Sequence, residues 1–105
     1  MHASGIERLA KWYESNCDGQ WEHGYGVRIT TLDNPGWSVS IDLKGTRLEN
    51  VDFPTHEDNY QDERGWLRCW KAETTFRAAC GPLRIDDALT MFCNWADAVN
   101  MVRAT

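Results

Sequence analysis

A chain of 105 residues is long enough for one hydrophobic core and too short for two, so we expect a single domain over residues 1–105. Hydrophobic residues are 42% of the sequence, charged residues 26% and aromatic residues 11%, which excludes a disordered tail, a collagen-like fibre and a disulfide-dense miniprotein. The net charge of -5 argues against general attraction to nucleic acid or anionic lipid.

The sequence also predicts the compartment of the protein. No apolar stretch approaches the roughly 20 residues that cross a bilayer, and Glu7, Arg8 and Lys11 interrupt any signal-like apolar segment. We therefore expect a cytoplasmic protein with no membrane contact. The four cysteines form no C-x-x-C pair, so reduced thiols are expected.

A helix over about residues 5–15 is the first predicted element. Ser4 and Glu7 match a capping box, and apolar residues follow at helical spacing. Gly19 supplies a residue that tolerates positive φ after the helix ends.

Alternating polar and apolar residues predict three strands next. The first covers about residues 25–31 and the second 37–43. Between them, Asn34-Pro35-Gly36 fits a type II turn with glycine at the position of positive φ. The dipeptide at 44–45 has the length of a tight hairpin loop, so residues 46–53 are expected to return as a third strand.

The rest of the chain completes the predicted fold. Residues 66–73 alternate as a fourth strand, and a shorter piece around 75–79 adds a fifth. Helical spacing then runs from about residue 85 to 102. The sequence thus predicts an α+β domain, with an antiparallel sheet of four to five strands flanked by an N-terminal and a C-terminal helix on one sheet face.

Negative charge is concentrated in one segment, residues 49–63. This segment has a net charge of -6 and contains no Lys or Arg, so the other residues sum to +1. An acidic loop of this kind can speed association with a basic partner, or it can be a solvated loop with no partner. Its acidic residues are Glu49, Asp52, Glu57, Asp58, Asp62 and Glu63.

The segment from Cys17 to His23 brings a thiol, carboxylates and an imidazole together. A zinc site would need two more ligands, and no second Cys/His pair is near. A Cys-His nucleophile would need an oxyanion donor that the sequence does not indicate. A turn anchored to the core by Trp21 is the simpler interpretation, so we predict no metal site here.

Cys80-Gly81-Pro82-Leu83-Arg84 is superficially similar to the Cys-to-Arg loops of sulfurtransferases and phosphatases. The spacing is too short, and Pro82 removes an N–H group that such an anion cradle would use. A small thiol-dependent, sulfurtransferase-like enzyme using Cys17 or Cys80 remains the alternative function. No cofactor is indicated.

Six tryptophans in so short a chain can fill the core or form a binding surface. Both uses remain open. Arg68 lies between Trp66 and Trp70 on one face of the fourth predicted strand, an arrangement that favours cation–π stacking on an open sheet face.

Two long motifs resemble one known family. Residues 17–26 read Cys-Asp-Gly-Gln-Trp-Glu-His-Gly-Tyr-Gly, and residues 31–37 read Thr-Leu-Asp-Asn-Pro-Gly-Trp. Together with Ile41-Asp42-Leu43 and Gly45-Thr46, they resemble the immunity protein 53 family of bacterial polymorphic toxin systems. The resemblance implies a cytoplasmic protein that binds and neutralises a cognate toxin domain, and it implies no catalytic residues.

The preferred hypothesis is therefore a non-enzymatic inhibitor that occludes the active site of a toxin. If the toxin is a nuclease, its basic cleft would favour the acidic loop. Peptide binding at an open sheet edge is a third hypothesis. The sequence indicates no oligomeric state. The expected toxin-binding surface has Trp21, Glu22, His23 and Trp37 at its centre and Glu57, Asp58, Asp62 and Glu63 at its rim.

Overall fold

The computed structural model describes residues 3–59 and 61–104. Its helices are α1 (Gly5–Asn16), the short α2 (Trp21–Gly24) and α3 (Ile85–Ala104). Its strands are β1 (Val27–Leu32), β2 (Gly36–Asp42), β3 (His56–Asp58), β4 (Leu67–Ala72) and β5 (Thr75–Cys80). The strands form one antiparallel sheet in the order β1-β2-β5-β4-β3, which confirms the predicted α+β class.

The predicted start of α1 is confirmed in atomic detail. Ser4 Oγ accepts a hydrogen bond from the main-chain N–H of Glu7 at 3.2 Å, and the Ser4 hydroxyl donates to Glu7 Oε1 at 3.2 Å. This pairing satisfies one of the N–H groups that a helix leaves free at its first turn. After the helix, Gly19 adopts a φ of +93°, as expected.

The turn between β1 and β2 differs from the prediction. Among the described glycines, positive φ occurs at Gly19 and Gly45, so Gly36 does not occupy the positive-φ position of a type II turn. A Cβ on Gly36 would instead overlap the main-chain carbonyl oxygen of Cys80. Glycine is needed here because β2 and β5 approach closely, which the local sequence does not reveal.

The hydrophobic core lies between one face of the sheet and the helices α1 and α3, so both helices cover the same face, as predicted. Phe76 of β5 and Phe92 of α3 are fully buried, with ring centroids 5.0 Å apart. Trp12 of α1 meets Phe92 edge-on at 4.9 Å. Aromatic pairs of this geometry stabilise a core beyond the area they bury. Buried residues around them include Leu9, Val39, Ile41, Leu67, Ala78, Leu89 and Ala96.

The opposite face of the sheet is not covered by either long helix. Trp70 lies on this face, and the Arg68 guanidinium carbon is 4.7 Å from the centroid of its ring. The predicted cation–π contact is therefore present. Four other tryptophans belong to the core or its margin: Trp12, Trp21, Trp37 and Trp95.

The predicted third strand over residues 46–53 is wrong. This segment forms turns and irregular chain, and the third strand of the sheet is β3, farther along and paired with β4. The ammonium of Lys71 donates to the carbonyl oxygens of Leu48, Glu49 and Val51 at 3.3, 2.8 and 2.7 Å. A side chain on β4 therefore satisfies carbonyl groups that a strand would have paired in a ladder.

Candidate functional site

The acidic segment contains β3, whose two carboxylates pair with arginines from elsewhere in the chain. Asp58 Oδ2 accepts from Arg84 at 2.8 Å, and Arg84 also donates to Asp87 at 2.7 Å. The hydrogen bonds that Arg84 donates, first to Asp58 and then to Asp87, raise the pKa of its guanidinium. Asp58 is thereby held in an ion-pair network rather than left free.

Glu57 lies on the open face of the sheet, and its Oε1 is 3.2 Å from Arg68 Nε. The contact is an ion pair, since Arg68 Nε has no hydrogen-bond partner among the described residues. Both side chains are more than a third exposed, at 41% for Arg68 and 50% for Glu57, so the pair adds little to stability. Its effect is to reduce the charge that Glu57 presents to a partner.

Asp62 and Glu63 are exposed carboxylates at the end of the acidic segment. Asp62 Oδ1 accepts from the main-chain N–H of Arg64 at 2.9 Å. Hydrogen bonds from the N–H groups of Arg64 and Gly65 lower the pKa of Asp62. The carboxylate therefore stays ionised below the pH at which a free aspartate is protonated.

These exposed acids border a cleft of about 550 Å³, which we call the acidic cleft. The turn at 34–35 forms one wall of the acidic cleft and residues 61–66 form the other, although about 30 positions of sequence separate them. The cleft lies at the end of the sheet where β1 leads into β2 and where β4 begins. Its lining residues are Asn34, Pro35, Gln61, Asp62, Glu63, Arg64 and Trp66.

Trp37 lies at the same end of the sheet but packs on its helix-facing side. Its indole N–H donates to the carbonyl of Pro82 at 3.0 Å, and its ring contacts the margin of the core. Trp37 is partly buried. Its main visible contribution is to fix the chain after β5 beneath the acidic cleft.

Trp21, Glu22 and His23 lie at the other end of the sheet. The indole N–H of Trp21 donates to the carbonyl of Lys44, just after β2, at 2.8 Å, and the residue is only 7% exposed. Since six residues of strand span roughly 20 Å, this end is well separated from the acidic cleft. The eight expected toxin-binding residues therefore divide into two groups instead of forming one surface.

Glu22 organises the loop between α1 and α2. Its carboxylate accepts from the N–H groups of Asp18 at 3.0 Å and Gly19 at 2.9 Å. Hydrogen bonds from its own N–H, and then from those of Gly19 and Asp18, lower its pKa. His23 is exposed beside this loop. Trp21 and Glu22 thus have clear structural roles.

The sequence does not reveal two features of the surroundings of the acidic segment. It indicates the turn at 34–35 only as a connection between strands, and Arg84 only as part of a loop that contains a thiol. No local sequence pattern connects either of them with residues 57–63. The order of the strands in the sheet brings these segments together, and the local sequence does not give that order. The acidic charge itself was visible in the sequence.

Three of the four thiols are buried. Burial raises the pKa of Cys69 to about 12 and that of Cys93 to about 11, and it raises the pKa of Cys80 as well. A nucleophilic cysteine needs a lowered pKa, so these environments disfavour thiolate chemistry. Cys17 is partly buried, and its thiol lies 3.3 Å from the carbonyl of Tyr13.

Residues 3–59 and 61–104 contain neither a metal-binding cluster nor a membrane-spanning helix. No group of three or more His, Cys, Asp or Glu side chains is placed to hold a metal ion in that part of the chain. None of the helices described there has the length and apolar character needed to cross a membrane.

The chain is thus a small α+β domain with an acidic cleft at one end of its sheet. Residues 6–97 match the family model described as Immunity protein 53. The protein belongs to the Immunity protein 53 family. Comparisons with curated proteins and with solved structures gave no match.

Proposed function

We propose that this protein neutralises a cognate bacterial toxin domain by binding it and occluding its active site, with the acidic cleft as the main contact surface. Membership of an immunity protein family supports the function. The exposed carboxylates of Asp62 and Glu63 beside the acidic cleft support the location. The single observation that carries the proposal is the family match over most of the chain.

The charge distribution indicates what kind of toxin surface fits. Arginines of the same chain already pair with Glu57 and Asp58, whereas Asp62 and Glu63 face solvent. A basic toxin cleft, such as that of a nuclease, complements this pair of free charges. Such charges act mainly on the association rate and on specificity. Trp66 in the wall of the acidic cleft adds apolar area of the kind that anchors interfaces.

The function is tested by co-expression. The toxin to use is the C-terminal domain of a large secreted protein encoded beside this gene. We expect the protein to restore growth of cells that express this domain and to bind it directly in a purified system. Continued toxicity together with an absence of binding would show that the proposed function is wrong.

The location is tested by charge-neutralising variants. The double change Asp62→Asn and Glu63→Gln should slow association with the toxin by roughly tenfold at low salt and flatten its salt dependence. The matched control is Glu14→Gln with Glu73→Gln, which removes the same charge from two exposed positions outside the acidic cleft. Equal association rates for the two double variants would remove the acidic cleft from the contact surface.

A further inference from the structure

The two edges of the sheet differ in how they are protected. β3 has three residues, and they are His56, Glu57 and Asp58, so one edge is short and charged. β1 has six residues and includes four β-branched ones, with Arg28 as its single charge. Proteins usually protect exposed edges with short strands, charge or proline, because unpaired strands associate with other chains. By these criteria the β1 edge is unprotected.

The register shows which groups of β1 are free. The N–H of Asp42 donates to the carbonyl of Gly26 at 3.0 Å, so the even-numbered residues of β1 face β2 in hydrogen-bonded pairs. The N–H and C=O groups of Val27, Ile29 and Thr31 consequently point away from the sheet. Among the described residues, β2 is the one strand that pairs with β1, and no side chain bonds to these three residues.

An apolar groove of about 360 Å³ runs between this edge and α1. Ile6 and Tyr13 of α1 border the groove and are 53% and 38% exposed. Such exposure is unusual for large apolar side chains that line the same groove. Ile29 lies on the groove side of the strand, in the same lining as Ile6. Free backbone groups and exposed apolar side chains therefore occur together at one edge.

We propose that β1 pairs antiparallel with β1 of a second copy of this chain, with a two-fold axis through Ile29. Centred there, Ile29 faces Ile29 of the second copy, and Val27 faces its Thr31. This register uses all three outward-facing residues of each strand and forms about six hydrogen bonds. It joins two five-stranded sheets into one continuous sheet.

Two features favour a second copy over an unrelated strand. The set of free groups is symmetric about Ile29, so the same edge supplies both sides of the pairing. The antiparallel arrangement also directs the two acidic clefts toward opposite ends of the dimer, which separates the exposed charges of Asp62 and Glu63. On the open face, Arg28 faces Thr30 of the second copy, so no like charges oppose each other in this register.

The mass of the protein in solution provides the first test. At roughly 100 µM chain, well above a micromolar dissociation constant, light scattering should give twice the 12.1 kDa chain mass. Hydrogen exchange should show slow exchange at Val27, Ile29 and Thr31, whose amides have no acceptor within one copy. A monomer at this concentration, or rapid exchange at all three amides, would overturn the proposal.

Thr31→Pro removes one outward-facing N–H without removing a bond within the sheet, and proline is tolerated at such edge positions. It should give a folded monomer, whereas Thr31→Val, which keeps the N–H, should remain a dimer. If Thr31→Pro fails to fold, Ile6→Glu serves in its place, because it puts like charges beside the two-fold axis. Its control is Leu83→Glu, at an apolar residue that is 84% exposed and outside the groove. A dimer that persists in folded Thr31→Pro or in folded Ile6→Glu would contradict the proposed register.

Discussion

Replacing Lys71 with methionine tests whether one ammonium group holds the irregular segment after β2. Methionine keeps most of the length and apolar contact of the lysine side chain but has no donor for the carbonyls of Leu48, Glu49 and Val51. A hydrogen bond that involves a charged group contributes about 1.5–3 kcal/mol to the free energy of unfolding. The contribution is smaller where water can reach the group and replace the bond. With three bonds on one half-buried ammonium, we expect the free energy of unfolding to fall by about 3 kcal/mol.

Urea unfolding followed by tryptophan fluorescence measures this loss. A decrease of about 3 kcal/mol lowers the urea midpoint by roughly 2 M for a domain of this size, with little change in slope. Lys44→Met is the matched control, because Lys44 is exposed and its ammonium has no hydrogen bond or ion pair among the described residues. A difference between the two variants below about 0.5 kcal/mol would refute the reasoning that the ammonium organises this segment.

Two further predictions concern stability. Gly81→Ala should lower the free energy of unfolding by about 1–3 kcal/mol, since a Cβ there would overlap the carbonyl oxygen of Arg64. A Cβ at Gly24 meets nothing within 4 Å, so Gly24→Ala should change the free energy of unfolding far less. Thermal unfolding of both variants measures the difference. Burial raises the pKa of Cys69 to about 12, so the unfolded chain loses this thiol proton first and stability should decrease as pH rises above about 9. Urea midpoints at several alkaline pH values measure this slope, and a slope unchanged in Cys69→Ala would contradict the assignment.

The parts of the fold that the sequence predicted well depend on local patterns. Ser4 and Glu7 identify the start of α1 because a capping box joins residues that are three positions apart. The alternation in β4 predicts that Arg68 and Trp70 share one face of the strand, which the structure confirms, with Cys69 buried on the other face. Local periodicity is sufficient for these predictions because the spacing of residues along a strand or helix determines which side chains share a face.

The errors occurred where distant residues determine the local structure. Residues 46–53 looked like a returning strand because a short loop precedes them, but the ammonium of Lys71 takes up their carbonyls from another strand. β3 was hidden in the acidic segment, since His-Glu-Asp has low strand propensity and is held by pairing with β4. The separation of Trp21 from the acidic cleft likewise follows from strand order, which sequence alone does not give.

The orientation of the acidic cleft has a consequence for stoichiometry. The cleft lies at one end of the strands, and the proposed antiparallel pairing through β1 would turn the two copies end for end. Under the proposed function, such a pair would present one acidic cleft at each end and could hold two toxin domains. Where toxin domains lie close together, the second binding step would take place at a local concentration on the order of millimolar, which would slow release even if each single contact is modest.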